Sequence, residues 1–152
     1  MAGKSDKFEY DFLRLTFNGV AITNVCSSGG STSLWVGLLT ADPTDAGSTA
    51  SEGGYAQYAR VQTSRSTQGT TPYGWSVTSG TSAATATVSP VGNLDLPQNT
   101  STSTGTFTHF GVWPSSDAQA SSGLYYGALS PSINFSQNVT PRITTGSSIT
   151  ED

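Results

Sequence analysis

The sequence predicts an all-β protein, an antiparallel β-sandwich or jelly-roll-like fold with one short N-terminal helix, in a single domain spanning residues 1–152. Three observations lead there. The chain has 152 residues, enough for one domain with a real core. Its hydrophobic fraction is 34% and its charged fraction 11%, and Ser, Thr, Gly and Asn fill the gap. Aromatics still make up 10%, which separates it from disordered chains, and aromatic and Thr side chains suit a pleated surface. Finally, about eight short apolar or alternating runs are separated by turn residues, with 17 Gly and 7 Pro to supply them and no βαβ alternation.

Residues 5–18 form the helix. Asp6 and Glu9 have capping-box spacing, with Asp in place of the usual Ser or Thr. Phe8, Phe12 and Leu15 follow at i, i+4 and i+7 as one apolar stripe, which Leu13 and Phe17 widen. Asn18-Gly19 supplies the stop. The stripe packs either on the protein's own sheet or on a neighbouring subunit. In the second case Lys7, Phe8, Phe12 and Leu15, together with Arg142, are the candidate partner-binding residues.

After a loop over 24–33, the apolar run Leu34–Thr40 reads as a central strand buried on both faces. Asp42-Pro43 starts a turn, because proline presets φ and the aspartate accepts from backbone N–H groups. Residues 48–58 are polar, with Gly53-Gly54 and two tyrosines, and 59–63 read as a short strand. Alternating pieces at 75–78 and 85–89 form a hairpin, and 91–97 is an edge segment ended by Pro97. Gly105 to Trp113 is the strongest strand, and with neither face plainly polar it belongs at the centre of a sheet. Strands at 124–129, 133–135 and 142–144 follow, with Pro131 dividing the first two. Residues 145–152 are a polar tail, read with the helix as an arm reaching neighbours.

The chemistry-bearing residues are few. Net charge is −4 and no polybasic stretch occurs, which argues against nucleic-acid contact. No apolar run approaches the length of a membrane span, and the N-terminus lacks the apolar region of a secretory signal. One cysteine, Cys26, and one histidine, His109, exclude thiolate clusters and multi-histidine zinc sites. Cys26 reads as a small buried residue, and His109 as a histidine hydrogen-bonded within the sheet. Asp42 and Asp45 offer two carboxylates to calcium, but an Asx-turn explains the same residues more simply. Ser28-Gly29-Gly30-Ser31 lacks the lysine of a phosphate loop. Trp75, Trp113, Tyr125 and Tyr126 could stack on sugars, although such residues are more often core. The sequons at Asn99, Asn134 and Asn138 are expected by chance in a Ser/Thr-rich chain. The expectation is a protein with no cofactor, no metal and no catalytic residues.

Several segments in order resemble a known family: Ser5-Asp6-Lys7-Phe8, the strand-to-turn run ending Thr40-Ala41-Asp42-Pro43, and Tyr58-Ala59-Arg60-Val61. Trp75-Ser76-Val77, Ser89-Pro90-Val91, Thr108-His109-Phe110-Gly111 and Leu124 to Leu129 continue the set. Val139-Thr140-Pro141-Arg142 and Ile149-Thr150-Glu151-Asp152 complete it. Over nearly the whole chain they resemble small tailed-bacteriophage virion structural proteins, often labelled phage tail fibre proteins. The resemblance implies a non-enzymatic virion component, made in the bacterial host cytoplasm. Fibre shafts carry repeats or heptads, and neither is visible here. The first expectation is therefore a homo-oligomeric capsid decoration (cement) protein bound to the major capsid protein or other virion proteins, away from nucleic acid and membrane. The second is a tail, collar or tail fibre component, including one that contacts the host surface.

Overall fold

The structure, a computed structural model, describes residues 6–21, 32–44, 48–78, 86–113, 115–117 and 124–151. Cys26, Asp45, the 28–31 segment and the side chains of Lys7 and Phe8 lie outside the described residues. The elements are α1 (Asp6–Asn18), β1 (Ser33–Leu39), β2 (Val61–Ser64), β3 (Trp75–Thr78), β4 (Ala86–Pro90), β5 (Leu94–Asp95), β6 (Gly105–Trp113), β7 (Tyr125–Phe135), β8 (Arg142–Ile143) and β9 (Ile149–Glu151). The strands form antiparallel sheets in the orders β2-β1-β6-β7, β3-β4-β9 and β5-β8, so the fold is all-β, with one short helix among the described residues.

The chain groups into two compact units, each discontinuous in sequence: Met1–Ser33, Thr63–Asn93 and Thr144–Asp152 in the first, Leu34–Gln62 and Leu94–Ile143 in the second. In the first, α1 lies on β3 and β4. Its buried face differs from the expected one. Leu13 and Phe17, one helical turn apart, are fully buried, while Phe12 is 36% exposed and Leu15 half-buried. Phe17 meets Trp75 edge-on with ring centroids 4.8 Å apart. Both rows have helical spacing, and the sheet beneath selects the row that includes Phe17.

The helix stops where Gly19 takes φ +64°, a left-handed conformation that glycine adopts without a Cβ penalty. The Gly19 and Val20 N–H groups donate back to the carbonyls of Leu15 and Arg14. β3 and β4 pair as the expected hairpin, Trp75 opposite Pro90 and Thr78 opposite Thr87. The tail is not a free arm. Its Ile149, Thr150 and Glu151 pair with Val88, Thr87 and Ala86 and add β9 to the sheet.

In the second unit β1 and β6 are the inner strands, as both sequences required, and Leu34, Val36, Leu38, Phe107 and Val112 are buried on them. Each such side chain contributes about 1.5–3 kcal/mol of transfer free energy. The two strands expected on either side of Pro131 are one continuous strand, β7. Its register against β6 jumps from Phe107 opposite Ile133 to His109 opposite Ala128, so residues 129–132 bulge out opposite Thr108 alone. A sheet-edge position and a bulge together accommodate the proline, which has no N–H to donate.

Candidate functional site: a buried polar centre beneath residues 52–60

Gly37 on β1 stands directly opposite Gly111 on β6. Two facing glycines leave a trough on one side of the sheet. A Cβ on Gly37 would come within 2.5 Å of the Tyr58 hydroxyl and 2.8 Å of Glu52 Oε1, and one on Gly111 would strike the Trp113 ring. Residues 52–60 run across this trough and place Glu52, Tyr55, Tyr58 and Arg60 in the unit's interior. Gly53 turns the segment with φ +80°, and a Cβ there would come within 3.0 Å of the Tyr58 ring.

The centre is an ion pair. Arg60 Nε donates to Glu52 Oε1 and its NH2 group to Oε2, both at 2.7 Å. The two side chains are 0% and 2% exposed. The remaining guanidinium nitrogen, NH1, donates to the carbonyls of Ser115 at 2.9 Å and Asp117 at 2.7 Å, just beyond β6. The Arg60 guanidinium carbon sits 3.9 Å from the centroid of the buried Trp113 ring. Such a bidentate pair, with both NH1 donors used as well, meets the condition under which buried charge is tolerated.

Tyr58 joins this centre to the backbone of β1. Its hydroxyl accepts the Leu38 N–H at 2.8 Å and shares its proton between Glu52 Oε1 at 3.1 Å and the Leu38 carbonyl at 3.2 Å. Burial first, and the neighbouring Glu52 carboxylate next, push its ionisation well above the ordinary tyrosine range. Around it, Tyr55, Phe107 and Phe135 complete an aromatic cluster with centroid separations of 4.6 to 6.4 Å. The Tyr55 hydroxyl is used as well, donating to the Pro97 carbonyl at 2.6 Å.

Chemically, this centre is a set of donors and acceptors turned on one another. The sequence reading missed it, because residues 48–58 have neither a 2.0 nor a 3.6 period. The only available signal was a Glu and an Arg flanking two tyrosines and a Gly-Gly pair in a chain with few charges.

The candidate partner-binding residues are arranged differently. Phe12 and Leu15 lie on α1 in the first unit, away from its Leu13–Phe17 face. Arg142, in the second unit, is half-exposed and forked onto Asp95 at 2.5 and 2.9 Å, fixing β8 to β5. The other expectations fall as follows. His109 is half-buried, its Nδ1 2.9 Å from the Thr108 hydroxyl. Asp42 Oδ1 accepts the Thr44 N–H at 2.8 Å, the Asx-turn expected. Trp75 and Trp113 are core residues. Asn99 is fully buried, accepting from Ser101 and donating to the Ser103 carbonyl. Among the described residues, no group of three or more His, Cys, Asp or Glu side chains could hold a metal, and no helix is long and apolar enough to cross a membrane.

No curated protein matches the chain. A family model described as "Podophage GP4 fiber I protein gp80" matches residues 3–150. With almost its entire length matched, the chain belongs to this family of podophage fibre proteins.

Proposed function

We propose that this protein is a non-enzymatic structural component of the fibre apparatus of a podophage particle, working by assembly with itself and with other virion proteins. The observation that carries this reading is the family match over residues 3–150. It reverses the order of the two expectations drawn from sequence. The tail fibre reading gains support, and the capsid decoration reading gains none. The missing shaft repeat then favours, as the kind of fibre part involved, a β module over a repeat-built length of shaft. The buried charges fit a building unit too, since Glu52 and Arg60 are spent on each other and on backbone carbonyls.

Immunogold labelling of intact virions with antibody to this chain tests the proposal. Gold on tail-associated fibres is the expected result. Gold spread over the head surface would return the decoration reading. Light scattering of the purified protein should give more than one copy per particle. Release of reducing ends from host surface polysaccharide by the purified chain would overturn the non-enzymatic part.

A further inference from the structure

α1 ends in Asn18-Gly19, and no other asparagine in the chain precedes a glycine. That dipeptide is chemically labile, because glycine puts no side chain in the way when its nitrogen attacks the asparagine side chain. The Gly19 N–H loses its proton, the nitrogen bonds to Asn18 Cγ, and the Cγ–Nδ2 bond breaks to release ammonia. Water then opens the cyclic imide to aspartate or isoaspartate. We propose that Asn18 is a deamidation site gated by the last turn of α1. It is shielded while that turn is docked on β3 and converts when the turn opens.

In the folded chain both reacting groups are engaged elsewhere. The Gly19 N–H donates to the Leu15 carbonyl at 3.1 Å, with Gly19 at φ +64°. Asn18 Nδ2 donates across to β3, to the Trp75 carbonyl at 2.7 Å. A carbonyl only accepts, so the amide nitrogen is the atom that faces it. Arg65 holds the same turn through the Thr16 and Leu15 carbonyls, and the Phe17 ring lies against that of Trp75. Ring closure requires the Gly19 nitrogen to leave Leu15 and the Asn18 amide to leave Trp75 together, which is a local opening. Either product lacks Nδ2 and carries a carboxylate. Asn18 Oδ1 is buried with no hydrogen-bond partner among the described residues, so a negative charge there has no donor ready, and it sits at the negative end of the helix dipole. The opening that permits the reaction is made permanent by it.

The test follows the amide-to-acid mass gain at Asn18 by site-resolved mass spectrometry, in the full-length protein at mildly alkaline pH. Unfolded in concentrated urea, the chain should convert Asn18 faster than any of its other asparagines. In the folded protein the conversion should be slower by about tenfold or more. It should rise only shallowly with sub-denaturing urea, because a helix end exposes little surface on opening. R65A should speed the folded-state reaction about fivefold, the change to which ~1 kcal/mol of lost anchoring converts. N18D, which mimics one product, should lose helical circular dichroism and unfold at a lower urea concentration than the wild type. Folded-state conversion as fast as in concentrated urea overturns the proposal. So does a urea dependence as steep as that of global unfolding, or an R65A rate equal to that of the wild type. An N18D chain as helical and as stable as the wild type overturns the claim that the opening becomes permanent.

Discussion

Two arginines five positions apart serve the two units in contrasting ways. Arg65, in the first unit, reaches the backbone of the helix. Its Nε donates to the Thr16 carbonyl at 2.8 Å and its NH2 group to that of Leu15, capping the last turn of α1. A cation at a helix C-terminus faces the negative end of the helix dipole and satisfies carbonyls that the helix cannot. Arg60, in the second unit, is fully enclosed and needs Glu52 to be there at all. The half-buried arginine can rely on solvent for part of its compensation, and the enclosed one cannot. A chain with only six Lys and Arg commits two of them to backbone carbonyls. Its structure depends on where these cations sit more than its low charge content implies.

That contrast can be broken in stages. The largest effect is expected from R60M, which strands the Glu52 charge in the interior. Loss of one partner of a buried pair costs about 3–5 kcal/mol, seen as a lower urea midpoint. E52Q/R60M should recover most of that loss, since it leaves no unpaired charge. G37A comes next. Its methyl group would displace Tyr58 or Glu52 from the trough, at a cost of about 1–3 kcal/mol.

Alkaline pH should act on the second unit through Tyr58 by a comparable amount. Its folded-state ionisation lies above the unfolded value, so below about pH 10 both states are protonated and it adds no pH dependence. Above that, the unfolded chain releases a proton that the native state keeps. Tyr58 should then lower stability by about 1.4 kcal/mol per pH unit, a contribution that Y58F removes while that of Tyr55, also raised by burial, stays. R65A should cost less, about 1 kcal/mol, because water reaches part of that site, and its loss should appear in far-ultraviolet circular dichroism as a frayed helix. The smallest effect is expected from R142A. The Arg142–Asp95 pair is half in solvent, and the midpoint should not move measurably.

Elements with a strong period of their own were legible in the sequence. β6 has the expected bounds because aromatic, β-branched and small residues alternate along its whole length. The capping signals at Asp6 and Asn18-Gly19 bound α1 correctly. Elements that owe their state to a neighbour were not legible. Ile149-Thr150-Glu151 has one apolar residue and becomes a strand because β4 offers it a ladder. The choice of Phe17 and Leu13 over Phe12 for burial is made by β3 and β4, not by helical spacing. Pro131 reads as a break in one dimension, and only the bulge against β6 shows why the strand continues. The polar centre was hidden for the same reason: Glu52, Tyr58 and Arg60 acquire their roles from Gly37 and Trp113 on other strands.

The pairing of β9 with β4 also has a consequence in time. Every residue of the second unit is translated by position 143, and these residues can begin to organise as they leave the ribosome. The first unit has α1, β3 and β4 early but waits for residues 149–151 to close its sheet. Until they emerge, β4 has one ladder unfilled. The helix that was translated first therefore lies on the sheet that is completed last, and the interval between the two is when β4 is open to pairing with another nascent chain.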